Sequence, residues 1–219
     1  FEYPRTDLPS SVSFAGPLLP PSSSAAALPA WWGDLDGRTV VHVTQGTIAT
    51  DNLDRLIGVT ARALAGADLL VVATTGSGSL STIPHPLPTN LRVADHLPYG
   101  ELLPRVDVMV TNGGYGGVHF AIANGVPLVV GGATEDKREV GTRVAWSGVG
   151  VNLRTQSPSP QAIRAAVHRL TRGQEIRRRV LELQAESARY RPLDIVADAL
   201  ADVCHVSATD RRGGYPGSP

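Results

Sequence analysis

Cysteine, lysine and methionine each occur once in this chain of 219 residues, and aromatic side chains make up only 5% of it. A single thiol, Cys204, can close neither a disulfide framework nor a zinc cage, so a reducing compartment is expected. Net charge is equally scarce. Twenty basic residues meet twenty acidic ones, which leaves no overall field to draw the chain to nucleic acid or anionic lipid. No apolar run reaches membrane-spanning length, and the longest, such as Val126–Val130, are strand-sized. The start of the sequence shows no basic segment followed by an apolar stretch, so no signal peptide is read there. A cytoplasmic protein with no stable membrane insertion and no nucleic-acid partner is the expectation.

What is present is an ordinary globular balance, 42% hydrophobic and 18% charged, at a length that suits one large domain or one and a half. Arginine outnumbers lysine nineteen to one, a bias that fits genome composition better than function. The one lysine, Lys137, falls inside the densest motif of the chain.

Composition divides the sequence into three zones. Residues 1–33 carry Pro4, Pro9, Pro17, Pro20, Pro21 and Pro29 with runs of Ser22–Ser24 and Ala25–Ala27, which predicts an extended linker. Residues 207–219 predict a loose tail. Between them, 34–206 alternate strand and helix signals. Strands are expected at Thr39–Val43, Asp68–Ala73, Leu91–Val93, Asp107–Thr111, Pro127–Val130 and Val149–Leu153. Helical spacing covers Asp51–Leu64, Glu101–Leu103, Val118–Asn124, Glu139–Trp146, Pro160–Leu170 and Gln174–Ala188. The strands are continuously apolar, so both sheet faces should be covered. That predicts an α/β, doubly wound, mostly parallel sheet.

Ligands of such sheets sit beyond the carboxyl ends of the strands. The strongest segment there is Asn112-Gly113-Gly114-Tyr115-Gly116-Gly117, between a strand and a helix. Glycines let backbone approach a ligand, and a helix start offers unpaired N–H groups to a diphosphate. A plain glycine-rich turn reads the same way. The spacing is not the dinucleotide fingerprint, and Gly76, Gly78 and Ser81 miss its last glycine as well, which disfavours an NAD-dependent dehydrogenase. Gly46-Thr47 after the first strand suits a phosphate contact or a helix cap. Thr134-Glu135-Asp136-Lys137 sets carboxylates and an ammonium where sugar hydroxyls and phosphate can be met, or forms a solvated loop with a capping Asp. His42 reads as core, His168 and His205 as polar helical faces, His119 as packing or near-ligand, and His96 as a base-stacking candidate. No catalytic triad order or metal-ligand spacing stands out.

Together these segments resemble the C-terminal, donor-binding half of GT-B glycosyltransferases. The likeness is to the large inverting, UDP-glycosyltransferase-like family of plant secondary-metabolite enzymes and bacterial antibiotic, macrolide and lipid glycosyltransferases. The family's pattern runs through His96-Leu97-Pro98-Tyr99, Asn112 to Gly117, Gly125-Val126-Pro127 and Asp136-Lys137, with the spacing from glycine cluster to acidic pair kept residue for residue. Phe1 to Arg5, Gly16-Pro17 and Trp31-Trp32 look like the interdomain connection of bacterial members.

The resemblance implies a role for each position. Gly46, Thr47 and the backbone of Gly113, Gly114, Tyr115, Gly116 and Gly117 would hold the diphosphate. His96 and Leu97 would face the base, and Asp136 and Lys137 the sugar. Asn112 stands where the family has a phosphate-contacting histidine and would bind the donor with the hydrogen-bond donor it keeps; Gly117 stands where the family has Ser or Thr, Phe120 where plant members have a ribose-binding Glu, and Lys137 where it has Gln. The Asn-Gly-Gly and Asp-Lys forms are a recurring variant of bacterial and fungal members.

The implied ligand is a UDP- or dTDP-sugar with no metal and no further cofactor. The family's catalytic histidine lies in the N-terminal, acceptor-binding domain, so no catalytic residue is assigned here. The chain alone is expected to bind a donor without transferring its sugar. A non-catalytic nucleotide-sugar module that partners a separate acceptor-domain chain is the alternative, and a GT-B epimerase a weaker third.

Overall fold

Successive side chains of a strand point to opposite faces, so a strand that is apolar at every position needs a cover on both sides. Val40–Thr44 (β1), Leu70–Thr74 (β2) and Val108–Thr111 (β4) are buried at every residue. With Leu91–Ala94 (β3), Leu128–Val130 (β5) and Gly150–Asn152 (β6) they form one six-stranded sheet in the order β3-β2-β1-β4-β5-β6. Every pairing is parallel, so the sheet expected to be mostly parallel is wholly so. The structure, a computed structural model, describes residues 1–20, 27–79, 83 and 86–210, with side chains to Cys204. The Ser/Ala run and Ser81 fall largely or wholly outside the described residues.

The two faces carry separate cores. Val40, Val72, Met109 and Val130 pack with Val118 and Ile122 of Tyr115–Ala123 (α3) and Val140 and Val144 of Lys137–Trp146 (α4). Val180 and Leu183 of Gln174–Ser187 (α6) close that layer. On the other face Val41, Val71, Val110 and Val129 meet Ile57 and Ala61 of Ile57–Ala63 (α1) and Ile163 and Val167 of Pro160–Arg172 (α5). Each fully buried Val, Leu or Ile contributes about 1.5–3 kcal/mol. α5 starts where its signals place it, with Pro160 in the first turn and Ser159 Oγ accepting from Ala162 N at 3.2 Å.

Three expectations need correction. The helix expected from Asp51 begins at Ile57. Before it come a loop and a 3₁₀ turn, Leu53–Arg55, capped by the Asn52 side chain. Gly116 and Gly117 are not loop residues but lie in the first turn of α3. The tail expected from residue 207 starts inside a helix, Pro192–Asp210 (α7), which follows the short Tyr99–Leu102 (α2) and the others in chain order; residues 211–219 lie outside the described part.

Candidate functional site

The strand order reverses direction at β1 and β4, and there the two connections leave the sheet on opposite faces and open a crevice. The connection from β1 to α1 and the one from β4 to α3 flank it. Gly114 is the N-cap of α3, with no side chain capping the helix start. The N–H groups of Tyr115, Gly116 and Gly117 are first-turn donors with no intrahelical acceptor, and the next, Val118 N, bonds Gly114 O at 3.1 Å. Glycine at 116 leaves nothing within 4 Å of a Cβ position, so the backbone there is open to a ligand. Gly113 must be glycine. Its φ is +88°, and a Cβ would come within 2.7 Å of Val130 Cγ1.

Asn112, at the end of β4, has its amide engaged on both sides. Nδ2 donates to the Gln45 carbonyl, and Oδ1 accepts from Gly114 N at 3.3 Å. Gln45 was not among the expected site residues, since an isolated glutamine carries no motif. It is 3% exposed and uses every polar atom of its side chain: Nε2 donates to Ala49 O (2.9 Å) and Asn52 O (3.0 Å), and Oε1 accepts from Leu56 N (3.0 Å) and Ile57 N (3.2 Å). Gly46 follows with a φ of +76° and donates to Thr44 Oγ1 at 3.2 Å. Thr47 is exposed and caps no helix. A cavity of about 50 Å³ lies at this edge, lined among others by Gln45, Arg55, Asn112, Gly132, Thr134 and Lys137.

Beyond β5, Glu135 adopts a left-handed φ of +53° and its carboxylate pairs with Lys137 Nζ. Asp136 occupies the N-cap position of α4 but makes no capping bond, and its side chain is exposed. After β3 the chain turns back over the sheet edge, leaving His96 exposed and Leu97 packed on the core. That return seats Tyr99 edge-on to Phe120 of α3, 5.4 Å between ring centroids, and to His42 of β1 at 5.5 Å.

His42 is core, as read from its position. Its Nδ1 lies 3.0 Å from the Val72 carbonyl, which needs a donor, so Nε2 is left to accept from the Tyr99 hydroxyl at 3.3 Å. Burial pulls the imidazole down to about 4. Burial also raises the Tyr99 phenol, opposed by the Thr44 and Thr74 hydroxyls at the strand ends.

His119 is 8% exposed, its Nε2 buried without a partner, and its ring meets Tyr115 at 4.3 Å and Phe1 at 5.2 Å. Burial lowers its pKa. The first residues of the chain dock on α3 and α4: Glu2 accepts from the Tyr115 hydroxyl at 2.9 Å and pairs with Arg143 at 3.2 Å, and Tyr3 packs edge-on to Trp146 at 5.0 Å. Burial, then the Glu2 carboxylate, pushes the Tyr115 phenol up to about 12, so it remains a donor at neutral pH. Glu2 and Arg143 lie too far apart in sequence for any local signal to have paired them.

Fold and site together define a doubly wound Rossmann-type α/β domain with an uncapped glycine-rich helix start at its switch point. Residues 59–201 match the family model described as Erythromycin biosynthesis protein CIII-like, C-terminal domain, and the chain belongs to that family, within the UDP-glycosyltransferase-like GT-B enzymes. It is 51% identical over 201 residues to 4'-demethylrebeccamycin synthase of Lentzea aerocolonigenes, covering 91% of this chain and 46% of that protein. UDP-glycosyltransferase 2 of Phaeomoniella chlamydospora is 37% identical, at 93% and 46% coverage.

Among solved structures it is similar to the glycosyltransferase SnogD from Streptomyces nogalater (TM-score 0.68, 27% identity, 83% of this chain and 48% of that one). It is also similar to glycosyltransferase VinC in complex with dTDP (TM-score 0.68, 25% identity, 80% and 44%). The chain spans about half the length of the curated relatives it matches. Among the described residues no helix is long and apolar enough to cross a membrane.

Proposed function

We propose that this chain is the donor-binding half of an inverting glycosyltransferase and holds a UDP- or dTDP-sugar at the carboxyl edge of its sheet. The observation that carries the reading is the uncapped first turn of α3, with three backbone N–H groups and the helix dipole directed at the switch-point crevice. Gly46, Thr47 and residues 113–117 take the diphosphate, His96 and Leu97 the base, and Asp136 and Lys137 the sugar. In the complete enzyme an acceptor hydroxyl loses its proton to a base outside this chain and attacks the anomeric carbon. The bond to the nucleoside diphosphate breaks, and the α3 amides stabilise the charge that develops on the leaving phosphate.

The proposed partner is an acceptor-binding domain, in the same polypeptide or a separate one. The exposed apolar side chains of α7, Leu193 (72%), Val196 (38%) and Leu200 (61%), are in keeping with such a neighbour. Thermal unfolding of the chain with UDP, dTDP, their glucose conjugates and NAD tests the reading, because a ligand of the native state raises Tm. The uridine or thymidine diphosphates should raise Tm with concentration while NAD does not; no shift with any diphosphate would refute the donor site.

A further inference from the structure

The β1–α1 connection, residues 45–56, carries a single 3₁₀ turn of its own, and two sets of side-chain hydrogen bonds set its course. The first is internal. The Gln45 side chain spans the loop, bonded at one end to the Ala49 and Asn52 carbonyls and at the other to the Leu56 and Ile57 amides that open α1. The second is external: Asn112 Nδ2 donates to the Gln45 carbonyl, while Asn112 Oδ1 accepts from Gly114 N, the N-cap of α3. One side chain thus joins the backbone of the Gly46-Thr47 loop to the backbone that starts the diphosphate-facing helix. Both partners are backbone groups at the sheet edge, and Gln45 itself is buried.

We propose that Asn112 is a positioning residue, tying the β1–α1 loop to the first turn of α3 so that the two phosphate-facing segments keep a fixed spacing. The inference rests on the donor-site reading and departs from a direct phosphate contact at this position. One amide proton of Asn112 remains uncommitted, but the other is given to the Gln45 carbonyl and the oxygen accepts from Gly114 N, so both ends of the amide hold backbone. Affinity lost on removing Asn112 runs through the loop.

The experiment pairs hydrogen exchange of the nucleotide-free chain with calorimetric titration by UDP and dTDP. Asn112→Ala should speed amide exchange of residues 46–57 about tenfold, the loss of one partly buried hydrogen bond, while β4 and β5 exchange as before. Affinity for both diphosphates should fall by about the same factor. Asn112→Ser, whose hydroxyl can keep one of the two bonds, should recover part of both effects, and in a Gln45→Ala background Asn112→Ala should add little. A fall in affinity with unchanged loop exchange would overturn the proposal and restore a direct contact. Faster loop exchange with unchanged affinity would overturn it too. Faster exchange in a wild-type-like fold that binds neither diphosphate would support the tether and strike the donor-site reading alone.

Discussion

His42 shows how much of this edge of the sheet depends on a side chain buried beneath it. It sits in the middle of β1, hydrogen-bonds across to β2, and accepts a hydrogen bond from the Tyr99 hydroxyl that anchors the returning chain. Burial holds its pKa near 4 against an ordinary 6.5, so the native state resists protonation that the unfolded chain accepts. Stability from this group is therefore complete above pH 6.5, falls as pH drops below it, and stops falling below about 4. Between pH 7.5 and 5 the wild type should lose about 2 kcal/mol more unfolding free energy than His42→Gln, measured by urea titration. His42→Gln should keep only the remaining slope, to which the buried His119 contributes with the same sign. An equal slope in the two proteins would contradict the buried, neutral imidazole.

At the scale of elements, the glycines of the site divide by what surrounds them. A Cβ on Gly132, just past β5, would lie 1.8 Å from the Asn112 carbonyl, a backbone atom that cannot move without displacing the α3 entry. Gly132→Ala should destabilise by about 1–3 kcal/mol and weaken nucleotide binding with it. Gly116→Ala, with open space and a helical neighbourhood, should stabilise by up to about 1 kcal/mol. Equal unfolding midpoints for the two variants would refute the packing argument.

Strands and most helices were legible because their signals are local. Continuous apolar runs gave β1, β2 and β4, and Pro160 marked the start of α5. The β1–α1 region was misread as helix from Asp51 because Leu53 and Leu56 are buried at helical spacing, although Leu53 lies in a 3₁₀ turn and Leu56 at its exit. What decides the matter is Gln45, whose four side-chain bonds hold the loop open, and a lone glutamine gives no sequence signal. Likewise Asn112 was readable as a site position, while its two backbone partners, one of them 67 residues away, were not.

For the whole molecule, the order β3-β2-β1-β4-β5-β6 gathers loops from across the sequence at one edge. Gly46, Asn112, Gly132 and Lys137 come together there, and Ser77, Glu135 and Arg154, the non-glycine residues with left-handed φ among those described, all follow strands at the same edge. The left-handed backbone of non-glycine residues among those described is thus concentrated on the side of the sheet where the crevice opens. Docking through Glu2 and Arg143, with Phe1 and Tyr3 beside them, ties residues 1–3 to the same α3 and α4 that face the crevice.

The central claim is that the first turn of α3 binds the donor's diphosphate. Gly116→Asp isolates it, because an aspartate there has room and favours the helix by about 0.3–1 kcal/mol through the dipole, yet sets a negative charge where the phosphates are held. Calorimetric titration with UDP and dTDP should give one site on the wild-type chain, and on Gly116→Asp an affinity at least about tenfold weaker with an equal or higher Tm. Unchanged affinity in a folded Gly116→Asp protein would contradict the account.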